Sequence, residues 1–202
     1  MKTDIELGND TFTVGEDIVS KIVVNTIGFA GLLDLVSRAT KGVDDDTEYN
    51  KAVERARFFE QVEYYAGDKR LTPDVVALLQ MPFKLARRIR NAFAEPGVEP
   101  GKVVTPDADG ISSPILFQLG KPIPTDKGNI TELEFQANTL GDIEDVLYRT
   151  NSNDQALALI KSVAAPLGQE TTLMSMPDWA VAAISIADGV TIAQKVLPRF
   201  LD

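Results

Sequence analysis

The sequence predicts an α+β protein made of two similar units, each a β-hairpin followed by three to four α-helices. Three observations carry this: the chain repeats its own landmarks, each half opens with short extended segments, and each half then turns to helical periodicity. Ile5-Glu6-Leu7-Gly8, Gly15 and Asn25-Thr26-Ile27-Gly28 correspond to Phe117-Gln118-Leu119-Gly120, Gly128 and Asn138-Thr139-Leu140-Gly141, with spacings agreeing to within one residue. Asp34-Leu35-Val36-Ser37-Arg38 then answers Asp145-Val146-Leu147-Tyr148-Arg149, and Thr72-Pro73-Asp74-Val75 answers Met176-Pro177-Asp178-Trp179. Correspondences kept in one order predict a diverged tandem duplication of a unit of about 90 residues. The expected units are residues 1–93 and 113–202. Residues 94–112 hold three prolines, three glycines and four acids, a composition that opposes helix and central strand, and they read as a linker.

The elements follow in order. In the second half, Ile115 to Leu119 and Thr131 to Phe135 flank a Pro-, Asp- and Gly-rich turn over Pro122 to Asn129. Leu133 and Phe135 alternate with Glu132 and Glu134, the period-two signature of a half-buried strand. In the first half Thr11 to Val14 and Ile18 to Val24 take this part around Gly15-Glu16-Asp17. Asn138 or Thr139 caps a helix running to about Arg149, whose opening acids Asp142, Glu144 and Asp145 suit the positive end of the helix dipole. Second helices are expected over about 47–65 and 153–164, stopped by Ala66-Gly67-Asp68 and by Pro166. Third helices start at Thr72-Pro73 and at Ser175-Met176-Pro177-Asp178, where Ser175 and Asp178 have capping-box spacing. Pro82 and Asp188-Gly189 are expected to interrupt them. Beyond the breaks, Ala86, Ile89 and Phe93 line one face of a last helix, as Ala193, Val196, Leu197 and Phe200 do in the second half.

Composition removes much chemistry. Cysteine and histidine are both absent, which excludes disulfides, thiolate nucleophiles, imidazole ligands and every relay built on histidine. No catalytic residue, cofactor site or metal site is assigned, and the chain reads as non-enzymatic. Thirty acids against 20 bases give a net charge of −10, which offers no general attraction for nucleic acid or for acidic membranes. No apolar run approaches the roughly 20 residues of a membrane span. Met1-Lys2-Thr3-Asp4 does not open a secretory signal, so a cytoplasmic location is expected.

Several clusters are candidates for partner contact. Arg57-Phe58-Phe59-Glu60-Gln61-Val62-Glu63-Tyr64-Tyr65 puts four aromatics on the expected second helix, with Phe58, Val62 and Tyr65 on one face and Phe59 and Tyr64 to either side. Lys84, Arg87, Arg88 and Arg90 form the one basic stretch; Lys84, Arg87 and Arg88 share a face opposite Ala86, Ile89 and Phe93 and read either as a solvent stripe or as a dock for an acidic partner. Trp179, the only tryptophan, falls in a first helical turn and reads as a core or rim anchor or as a contact. Asp44-Asp45-Asp46-Thr47-Glu48 lacks the alternating ligands of a calcium loop and reads as a solvated turn opening a helix.

The second half also carries a resemblance. Leu119-Gly120-Lys121-Pro122-Ile123-Pro124, then Ile130-Thr131-Glu132-Leu133-Glu134-Phe135, then Gly141-Asp142-Ile143 resemble the motifs of the Mu-like bacteriophage tail assembly chaperones. The Ala156 to Ile160 run, Asp178 and the terminal Phe200-Leu201 extend the likeness over about residues 114–202. The first half joins it only through its similarity to the second, and lacks the Lys-Pro-Ile-Pro element. The resemblance implies a non-catalytic protein of the host-cell cytoplasm that binds the tape-measure protein and the tail tube protein. A permanent structural role in a tail or baseplate is the rival expectation, and a homo-oligomer stays open. The contacts expected on this reading are Phe59, Tyr64, Tyr65, Arg87 and Arg88 in the first unit and Trp179 and Phe200 in the second.

Overall fold

The computed structural model describes residues 2–94, 97–126, 128–167 and 176–201. The chain is a mixed α+β protein with antiparallel sheets and resolves into two compact units: Met1–Ile27 with Asp34–Pro96, and Gly28–Leu33 with Gly97–Asp202.

Unit one runs β1 (Lys2–Ile5), β2 (Thr13–Val14), β3 (Asp17–Ile18), β4 (Lys21–Asn25), α1 (Phe29–Ala39, its first residues clustering with unit two), α2 (Asp46–Glu60), β5 (Val62–Ala66), β6 (Lys69–Leu71), α3 (Val75–Leu79) and α4 (Phe83–Phe93). Its sheet has the order β1-β4-β5-β6, with Lys2 opposite Asn25, Val24 opposite Val62 and Tyr64 opposite Leu71. Alternation along these strands turns Ile22, Val24, Val62 and Tyr64 inward, where they share a core with Leu85, Ile89 and Phe93 of α4. Phe12 meets Tyr64 and Phe58 meets Phe93 edge-on, with ring centroids 5.8 and 5.5 Å apart.

Unit two runs β7 (Lys102–Val103), β8 (Ile115–Thr125), β9 (Gly128–Phe135), α5 (Leu140–Leu147), α6 (Ser152–Val163), β10 (Ala164–Leu167), α7 (Asp178–Ala183), α8 (Ile186–Lys195) and α9 (Pro198–Leu201). The sheet order is β10-β9-β8-β7. Ile115, Phe117, Leu133 and Phe135 face a core completed by Leu159, Ile160, Ile192, Val196 and Phe29. The β8–β9 register shifts between Gln118 and Ile123. At that bulge the amides of Gly120 and Lys121 turn to the buried carboxylate of Asp188 on α8, at 2.9 and 3.3 Å. The same carboxylate accepts from the Gly101 amide and the Ser185 hydroxyl, each at 2.8 Å. Four donors satisfy the acid inside an apolar core.

Several expectations need correction. Residues 62–65 are strand, not the end of a helix: Val62 and Tyr64 point into the core while Glu63 and Tyr65 lie outside it, and sheet pairing to β4 overrides the local helical period. The opening pair of unit one is β1 with β4; Thr13–Val14 and Asp17–Ile18 form only a small hairpin of their own. Pro122 to Thr125 continues strand β8, so the turn is shorter than expected. Residues 97–112 are not a free linker. Val103 pairs with Phe117, Ala108 is buried, and the amide of Ala137 donates to the Gly110 carbonyl at 2.8 Å.

Asp188-Gly189 lies inside α8, and the break falls at Ile184–Ser185, where the Ser185 hydroxyl caps α8 by accepting from the Asp188 amide. Gly189 is there for packing. A Cβ on it would sit 2.1 Å from the Phe29 ring. The third helix of unit one is capped by Asp74, not Thr72, and Ser175 lies outside the described residues. The break at Pro82, Thr139 as the N-cap of α5, and the extents of α5 and α6 match expectation to within two residues; that Asp142 closes a capping box with Thr139 is a further finding.

Candidate partner-binding groove

Unit one carries an apolar groove of about 460 Å³ between α2, α3 and α4. Local sequence places each wall. The acidic cluster opens α2: Asp45 accepts from the amides of Thr47 and Glu48, both at 2.9 Å, and Lys51, Glu54, Arg55 and Phe58 follow at helical spacing. Asp74 caps α3 by accepting from the Ala77 amide at 2.7 Å. Pro82 then starts α4, because a proline there loses no intrahelical bond.

Phe58 and Met81 are buried at the groove and Leu78 and Ala86 half-buried, while Val75, Leu79 and Phe83 stand exposed around it. Leu79 and Phe83 are 73% and 72% exposed. Side chains of this size forgo about 1.5–3 kcal/mol each by staying in water. A contiguous set of them beside a concave apolar surface marks an interaction site more often than chance exposure does.

The polar wall is cationic. Lys51 is held by Glu48 at 2.7 Å, and Arg90 pairs with Glu54. Arg55 forms no ion pair among the described residues, nor do Lys84 and Arg87 on the exposed side of α4. Arg57 is turned away from this wall. It sits 4.3 Å from the centre of the Phe93 ring and donates to the Phe93 carbonyl at 3.3 Å, and burial lowers its pKa.

The residues singled out in the sequence do not form one site. Tyr64 is in the core of unit one, its hydroxyl donating to the Phe58 carbonyl at 3.4 Å and its pKa raised by burial, so it offers no surface. Phe200 is likewise buried, its ring so close to Gly110 that a Cβ there would clash. Arg88 is committed within unit one, donating to the Glu6 and Leu7 carbonyls and pairing with Asp10. Tyr65 is half-buried and donates to Glu63 at 2.8 Å, which holds that carboxyl below its ordinary pKa. Phe59, Arg87 and Trp179 are exposed, though none of them lines the groove.

Val75, Leu79 and Phe83 escaped the sequence reading. A signal for them existed: Phe83 lies off the Leu85–Ile89–Phe93 face, and a five-residue helix such as α3 cannot bury both its sides. Among the described residues, no cluster of three or more acidic side chains is arranged to hold a metal ion, and no helix is long and apolar enough to cross a membrane. Comparison with family models, with curated proteins and with solved structures gave no match.

Proposed function

We propose that the chain is a non-enzymatic phage tail assembly chaperone, binding the tape-measure protein, the tail tube protein or both while the tail is built. The groove of unit one is the observation that carries this reading. It is an apolar recess rimmed by exposed Val75, Leu79 and Phe83, suited to shielding the apolar stripe of a long helical protein before assembly covers it. The motifs over residues 119–143 supply the family resemblance, and the absence of cysteine and histidine agrees with a binding role.

The proposal includes two diverged copies of one module. Setting aside the small β2–β3 hairpin, the edge strands β6 and β7 and the short α9, both units share the order strand, strand, helix, helix, strand, helix, helix, with β4 paired between β1 and β5 as β9 is between β8 and β10. Inward positions agree as well: Ile22 and Val24 stand where Leu133 and Phe135 do, and Val62 and Tyr64 where Ala164 and Pro166 do. The copies diverge at the helix start. Thr139 caps α5 one residue before it begins, whereas Gly28 precedes Phe29 because a Cβ would meet the Ala182 carbonyl.

Co-expression with the tape-measure and tail tube proteins of the same phage tests the reading. Co-purification with either, and absence from finished particles, is expected. Stoichiometric presence in purified tails, or capture of neither protein, would replace the chaperone by a structural component or by an unrelated role.

A further inference from the structure

Resting on the groove of unit one as the partner site, we propose that its occupant is an amphipathic α-helix whose apolar stripe is flanked by carboxylates. Val75 and Leu79 stand one helical turn apart on α3, and Phe83 follows at the start of α4. A row of this kind receives apolar side chains repeating every three to four residues, which is the pattern a helix presents along one face.

Charge selects among helices. The chain is acidic overall at −10, and taken as a whole it therefore repels an acidic partner. Helix α4 reverses this locally with Lys84, Arg87, Arg88 and Arg90 and no acid. Arg88 is used internally and Arg90 is neutralised by Glu54, which leaves Lys84, Arg87 and the groove-lining Arg55 without ion pairs among the described residues. The groove lining itself carries Lys51, Arg55 and Arg90 against Glu54, so carboxylates flanking the apolar stripe would meet a net positive wall, whereas a lysine-flanked helix would meet charge of like sign. Specificity then comes from repulsion of basic helices as much as from attraction of acidic ones.

Two synthetic peptides test this. One is a dye-labelled helix of about 16 residues with a leucine stripe flanked by glutamates, and the other carries lysine at each glutamate position. Each is titrated into the full chain by fluorescence anisotropy, at low and at high salt. The glutamate peptide is expected to bind at least about tenfold more tightly, with the margin shrinking as salt rises. The double variant Lys51→Glu, Arg55→Glu should invert the preference. Leu79→Ser and Phe83→Ser should abolish binding while leaving the thermal midpoint in place, since both side chains are largely in solvent.

Equal affinity for the two peptides overturns the inference, as does glutamate-peptide binding that ignores the Leu79 and Phe83 changes. Concentration-dependent self-association lost in Phe83→Ser overturns it too, because the occupant would then be a second copy. If Leu79→Ser and Phe83→Ser chains still co-purify with tail proteins, the inference fails and the chaperone reading survives. If the glutamate peptide binds the groove but no tail protein is captured, the reverse holds.

Discussion

Asp188 shows how one residue can fix the shape of a strand. A fully buried carboxylate is costly unless it is hydrogen-bonded throughout, and here three amides and one hydroxyl surround it. Asp188→Ala would orphan the Gly101, Gly120 and Lys121 amides together, and should lower unfolding stability by about 3–5 kcal/mol. Urea denaturation checks this, and an unchanged midpoint would mean that the bulge at Gly120 holds without the acid. Gln61 is the opposite case. It is 1% exposed, and both polar atoms of its amide lack a hydrogen-bond partner among the described residues. Gln61→Leu keeps the volume and removes that penalty, so a gain of about 1 kcal/mol is expected in the same assay. A loss would show that the amide is satisfied after all.

Packing at a single contact decides how the elements of unit two meet. Gly189 lets the Phe29 ring lie against α8, and any Cβ there must displace a ring that is 1% exposed. Gly189→Ala improves helix propensity by about 1 kcal/mol, yet overpacking costs about 1–3 kcal/mol. The expected net result is a lower thermal midpoint; a raised midpoint would mean that the ring moves freely. This glycine also marks where the sequence stopped being legible. Asp188-Gly189 has the local look of a helix break, and only the long-range neighbours Phe29, Gly101 and Gly120 explain why it lies within a helix.

The same limit runs through the other elements. Strand β9 was visible because Leu133 and Phe135 alternate with acids, and Pro82 was visible as a break because proline acts locally. Strand β5 was not, since Phe58 to Tyr65 satisfies a helical period as well as an extended one until β4 arrives to pair with it. Residues 97–112 look like linker because two of their three glycines mark close approaches to distant residues (Gly101 to Phe117 and Asp188, Gly110 to Phe200), which composition cannot distinguish from flexibility. The groove was hidden for a related reason: exposure of Leu79 and Phe83 depends on how α2, α3 and α4 pack.

Across the whole molecule, acid stability follows from where the shifted carboxylates point. The amides of Ile111, Ser113 and Ser112 hold the Asp109 carboxyl down at about 2, and the Asn138 and Thr139 amides lower that of Asp142. Glu63 is lowered as well, chiefly by the Tyr65 hydroxyl. In each case the folded value lies below the unfolded one, so the native state binds fewer protons than the unfolded state through that range. Their contribution is therefore complete above the unfolded carboxyl range near pH 4, and is lost as pH falls through the folded values toward 2. Two of the three acids lie in unit two, Asp109 in a turn that composition presented as linker. Asp109→Asn has no carboxylate to take up a proton, so the variant should show a flatter fall in urea midpoint between pH 4 and pH 2 than the parent chain. Parallel curves for the two proteins would mean that the Asp109 turn is already open before the acid transition, and that residues 97–112 contribute nothing to the cooperative core of unit two.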